Sequence, residues 1–342
     1  MNKEIINIQE RMDYYKVQGL TIALMNNGRV DAIENYGVLE AGTNRKVENG
    51  TVFSACSISK FVTGMLVMKL KEAGVLDLDE DVNIKLQGWK VQEHQFSSPV
   101  TLRHLLSHQS GIVDPEGSFI ELDSRFGNPS MIEILEGKTP YCVSPIQVTH
   151  EPGSEFHYAD AGYCIIQQLI EDVTGASFEQ VMKEQIFQPL EMESSTYLVD
   201  TSELGNGSFS CGHNKNGEIV TGKYPIYPYP AASGLWTTSS DLAKLVLELL
   251  HAVHGNSTLG ISVNSVNEMI SPQGGKDWTG LGVFLGESGN GLEVSSLGWG
   301  VGFQCMMVAK PHIGIGTVIM TNAELGVHQM EGLIGEIYRE IM

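Results

Sequence analysis

Strand-like runs at the two ends of this chain enclose a helical middle, and that order limits the possible folds more than any other feature. "LTIALMNNGRVDAIENYGV", residues 20–38, reads as two strands around Asn27-Gly28, the strongest short hairpin signal. Near the other end, "LGVFLGE", "LEVSSLG", "FQCMMVAK" and "IGIGTVIMT" have the same character. Between them the apolar spacing turns helical from Ser57 to Ala73, with Gly74 as the stop, and again in "TLRHLLSHQSG", "DAGYCIIQQLIEDVTG" and "SFEQVMKEQIF". Further helices are expected over residues 1–17, from Ser239 to His254, around 262–270, and in the closing "ELGVHQMEGLIGEIYREIM".

The pattern predicts a mixed α/β (α+β) unit spanning 1–342. An antiparallel sheet built from both termini and flanked by terminal helices carries an inserted all-helical subdomain. The sheet part covers about 1–56 and 209–342, the helical part about 57–208. Residues 112–150 are irregular and rich in Pro and Gly, as expected of a loop shaping a site. A cleft between two such halves is a common ligand site.

With 41 acidic against 21 basic side chains the net charge is -20, which argues against a nucleic-acid surface. The N-terminal stretch "MNKEIINIQERMDYYKVQGL" is polar, and no later run approaches membrane-spanning length. The five cysteines are odd in number, scattered, and without a C-x-x-C pair. A reduced, cytoplasmic protein with no structural zinc and no membrane partner is the expectation.

"FSACSISKFVTGMLVMKLKEAG" puts Ser57 and Lys60 three apart, on one face of a helical turn. A serine hydroxyl becomes a nucleophile when a neighbouring base takes its proton, and a lysine of lowered pKa is such a base. A helix N-terminus also aims N–H groups at an oxyanion. Alone, S-x-x-K is weak, arising about once by chance in a chain of this length.

The surrounding motifs add weight. "GLTIALMNNGRV", "TVFSACSISK", "TLRHLLSHQSGI", "EPGSEFHYADAGY", "FQPLEMESSTY", "AASGLWTTSSDLAKL" and "GIGTVIMTN" follow one another in an order that resembles the beta-lactamase-related, penicillin-recognising serine hydrolases, nearest their class C-like, esterase and D-peptidase members. The resemblance implies a beta-lactamase/transpeptidase-like fold. It implies Tyr158 of "YAD" as catalytic tyrosine, with Asp160 where the family has asparagine. A carboxylate only accepts hydrogen bonds, so Asp160 either pairs with Lys60 or takes up a proton. The third motif, usually Lys-Thr-Gly or His-x-Gly, falls by this resemblance on Gly298-Trp299-Gly300, with Val301 N–H as the second oxyanion donor and no cation to hold a carboxylate.

The implied function is an acyl-enzyme hydrolase in which Ser57 attacks, Lys60 takes its proton and Tyr158 protonates the leaving group. Asp160, Trp299, Gly300 and Val301 would surround the substrate, a small ester, amide or D-peptide, with no metal or organic cofactor. Small esters fit best. A D-amino-acid peptidase or weak beta-lactamase, and a non-catalytic binding protein that kept the fold, stay open as alternatives. His104 and His108 stand at i, i+4 without the Glu of an H-E-x-x-H metal motif, and read as core or capping residues.

Overall fold

The computed structural model describes residues 6–198, 200, 204, 208–289 and 291–342. The chain opens with helix α1 (Ile8–Tyr15) and the hairpin β1 (Gly19–Asn26) and β2 (Arg29–Gly37). Asn27 and Gly28 take φ of 52° and 68°, the left-handed pair that a tight hairpin turn demands. A short strand β3 (Phe53–Ser54) and the 3-10 turn Cys56–Ile58 lead into α2 (Ser59–Glu72). There follow α3 (Leu102–Leu106), α4 (Met131–Leu135), α5 (Asp160–Thr174), α6 (Phe178–Met182), strand β4 (Thr196–Tyr197), α7 (Pro230–Ser233), β5 (Leu235–Thr237), α8 (Ser239–Val253) and α9 (Val263–Met269). Strands β6 (Phe284–Ser288), β7 (Gly291–Gly300), β8 (Phe303–Lys310) and β9 (Ile315–Thr321) precede the closing helix α10 (Leu333–Ile341).

Both ends of the chain build one six-stranded antiparallel sheet, ordered β2-β1-β9-β8-β7-β6. Its central strands are apolar on both faces, and the period of two sends alternate residues to opposite sides. Leu20, Ile22, Met306, Val308 and Ile319 pack with Leu333, Ile334 and Ile337 of α10. Ala23, Met25, Cys305, Met307, Val318 and Met320 face the main core with α8 and α2. Arg11 and Tyr15 of α1 both reach Glu336 of α10, at 2.6 and 2.8 Å, so the terminal helices are also tied to each other.

The structure departs from the sequence expectations where local pattern and tertiary context compete. The first five residues of the expected N-terminal helix lie outside the described residues. The block 57–208 is not all helical: β4 lies inside it and pairs with β5, and residues 199, 201–203 and 205–207 of it are outside the described set. Ser57 belongs to the 3-10 turn, not to α2, because Cys56 turns left-handed at φ 48° before the helix begins. The closing helix is only α10, after a 3-10 turn at Gln329–Glu331.

Candidate active site

Helix α2 is buried along nearly its whole length, Ser59, Lys60 and Thr63 included. Its first turn is pinned by hydroxyls. Ser59 Oγ donates to Cys56 O at 2.6 Å and accepts from Leu235 N–H at 3.0 Å, while Thr63 Oγ1 donates to Ala231 O at 2.8 Å. Lys60 therefore has its side chain only 4% exposed, and a buried ammonium must find partners. It finds three. Nζ donates to Ser57 Oγ at 3.2 Å and to Ala232 O at 2.9 Å, and lies 2.5 Å from Asp160 Oδ1. No directed hydrogen bond reaches that oxygen, so charge attraction carries the contact.

Burial by itself would lower the Lys60 pKa, but the charge of Asp160 and then the phenol of Tyr158 outweigh it and raise it above the ordinary lysine value. Lys60 is thus an ammonium that donates to Ser57. The carboxylate favours this charged form, in which Lys60 donates to Ser57 and does not accept from it. Of the two outcomes open for Asp160, pairing with Lys60 is the one observed.

Tyr158 ends the segment before α5. Its ring centroid is 4.9 Å from Lys60 Nζ, and the ring stacks on His108 at 4.3 Å. Ser57, Lys60, Tyr158 and His108 line one cleft with Gly282, Val283, Phe284, Ser296 and Leu297. The cleft is narrow, about 20 Å³, enough for roughly one water molecule. Lys60 is the only cation among the described residues that line it.

Two neighbours escaped sequence reasoning. Asp114 accepts from Asp160 N–H at 2.8 Å and Ala161 N–H at 3.0 Å, capping α5 from a distant loop. The available signal was an absence: Ala159 holds the N-cap position and has no side chain to cap with. Burial, then the charge of Asp160, pushes the Asp114 carboxyl up to about 6. His108 was expected in the core or at a cap. It is buried, and its Nδ1 accepts from Ala159 N–H at 3.2 Å, but it also backs Tyr158 in the cleft. Burial and then the Lys60 charge hold its pKa well below that of a free histidine, so it is neutral there.

The third motif needs a correction. Val301 N–H is donated to Tyr227 Oη at 2.9 Å and is not free for an oxyanion. Gly300 is closed in as well, since a Cβ there would sit 2.5 Å from Tyr227 Oη and 2.9 Å from Cys56 Sγ. The β7 residues that line the cleft are Ser296 and Leu297, two to four positions earlier than expected. Gly298 lets the strand come this close: a Cβ there would lie 2.3 Å from Ala55 O. A two-residue turn joins Gly300 to Phe303, which makes that pair the hydrogen-bonded one. By alternation Trp299 turns its N–H away from β8, to the edge where β6 pairing has already stopped at Ser295. The Trp299 indole is 42% exposed and donates to Glu324 at 3.3 Å.

With the geometry in place, comparison with known proteins is decisive for the family. A family model described as Beta-lactamase matches residues 7–334. The chain belongs to the beta-lactamase family. Among sequence relatives within that family, "Penicillin-binding protein 4" of Amycolatopsis lactamdurans is 31% identical over 194 residues, 56% of this chain and 48% of the relative. The chain spans about half the length of the curated relatives it matches (48% and 42% of the first two). Of solved structures, the octameric penicillin-binding protein homologue from Pyrococcus abyssi superposes with TM-score 0.78 at 22% identity, covering 97% of this chain and 75% of the other. EstCE1, a hydrolase with promiscuous acyltransferase activity, superposes with TM-score 0.76 at 18% identity, covering 97% and 96%. At these identities the superpositions establish the beta-lactamase-type fold.

Proposed function

We propose that this beta-lactamase family member is a serine hydrolase acting through an acyl-enzyme on small, uncharged esters, with Ser57 as nucleophile. The observation that carries the reading is the convergence of Lys60 Nζ, 3.2 Å from Ser57 Oγ, and the Tyr158 ring on one narrow cleft. Ser57 Oγ bonds to the acyl carbon as its proton passes to the Tyr158 oxygen and the Tyr158 proton passes to the departing alkoxide. Water then attacks the acyl carbon, and its proton passes through Tyr158 in the same way to Ser57 Oγ as the acid leaves. Lys60 orients Ser57. The N–H groups of Ser57 and Trp299 receive the oxyanion.

The ester preference rests on charge. Lys60 is already neutralised by Asp160, and among the described residues no second cation lines the cleft to hold the carboxylate of a penicillin or a D-peptide. The small volume favours a short acyl group. Intact-mass measurement after nitrophenyl acetate or a fluorophosphonate tests the proposal. One covalent adduct is expected on the wild-type chain and none on Ser57→Ala; an adduct that persists in that variant ends the assignment. Faster turnover of nitrocefin or a D-alanyl peptide than of nitrophenyl acetate would overturn the substrate reading alone.

A further inference from the structure

We propose that His150, Glu155 and His157 form a binding site for a divalent transition ion of the zinc class, outside the catalytic cleft. Their ligand atoms all lie within 4.8 Å of one another. His157 Nε2 and Glu155 Oε2 are 3.1 Å apart, close to the ~3.3 Å edge of a tetrahedron with zinc–ligand bonds near 2.0–2.2 Å. The set lies within 4.8 Å, so its side chains draw in by up to about 1.5 Å around an ion.

Thr149 Oγ1 lies 2.9 Å from His150 Nδ1 and 3.2 Å from Gly111 O. A hydroxyl partner on one ring nitrogen orients the imidazole, as outer-shell partners of metal-binding histidines do. The backbone is held too: Thr149 and His150 N–H both reach Gly111 O, at 2.8 and 3.1 Å, and His157 N–H reaches His108 O at 2.8 Å.

Two imidazoles and one carboxylate suit zinc in preference to magnesium or calcium, which ask for oxygen alone, and they leave a fourth position for water. An ion there would staple 150–157, the segment that ends at Tyr158, without touching the reacting atoms.

Zinc chloride titrated calorimetrically into the full, tag-free chain tests the site, with cobalt(II) absorption as the spectroscopic readout. One equivalent of zinc is expected to bind, with at least tenfold weaker affinity in His150→Ala and in His157→Gln, a smaller loss in Glu155→Gln, and no competition from excess magnesium. Cobalt should give intense four- or five-coordinate visible bands that His150→Ala lacks. Circular dichroism and basal ester hydrolysis of His150→Ala should match wild type, which separates lost binding from lost folding. Absence of zinc binding at about 100 μM, or wild-type affinity in the His150→Ala/His157→Gln double variant, would overturn the proposal. Neither result bears on acylation of Ser57.

Discussion

Asp160 decides the charge state of the site, and it is one atom group away from the family's asparagine. Removing its charge in Asp160→Asn leaves burial as the dominant influence on Lys60, which lowers that amine's pKa. The alkaline limb of the pH–kcat/KM profile should then move to lower pH, while Ser57 stays acylable by mass spectrometry. An unchanged alkaline limb would show that Lys60 does not titrate in the reaction. Asp114 gives a stability prediction. Its carboxyl is pushed up to about 6 from 3.8, so the folded chain keeps a proton there that the unfolded chain has released. Its contribution is therefore favourable below about pH 4 and is lost as pH rises through 6. Denaturant melts at intervals across that window should show wild type losing stability relative to Asp114→Asn with rising pH.

Between β7 and the 3-10 turn, contact is so close that one methyl group is too many. Gly298→Ala puts a Cβ 2.3 Å from Ala55 O and 2.4 Å from Cys305 Sγ. Forced apart, the two elements should cost about 1–3 kcal/mol in a chemical melt and most of the esterase rate. The same crowding explains what could and could not be read in advance. Ser57 and Lys60 were legible because three-residue spacing is local, and Tyr158 because its quoted motif stands next to a well-marked helix. The register of β7 was not. Glycines at 298, 300 and 302 offer three equivalent frames, and the frame is settled by Tyr227, a residue over seventy positions away, bonding Val301. Asp114 and His108 were hidden for a similar reason, since each meets α5 or Tyr158 only after the chain folds back. Strand β4 is two residues long, too short for any periodicity to reveal.

Over the whole molecule, 41 acidic groups oppose 21 basic ones, and the resulting field acts on whatever approaches the cleft. For an anionic ester, kcat/KM should rise as salt is raised from about 10 to 150 mM and screening sets in, whereas a neutral ester of equal size should respond little. Stopped-flow acylation with a matched pair of esters measures the difference; equal salt responses would mean the charge is too remote to matter. None of the helices, among the described residues, is long and apolar enough to cross a membrane.

The ammonium at the heart of the cleft donates to a hydroxyl and a carbonyl, and its charge is set against a carboxylate. An incoming anion meets a cation whose charge is already balanced. On the proposed reading, fitting this cleft to larger or differently shaped acyl groups would be a matter of carving Val283, Phe284 and Leu297, leaving the lysine untouched.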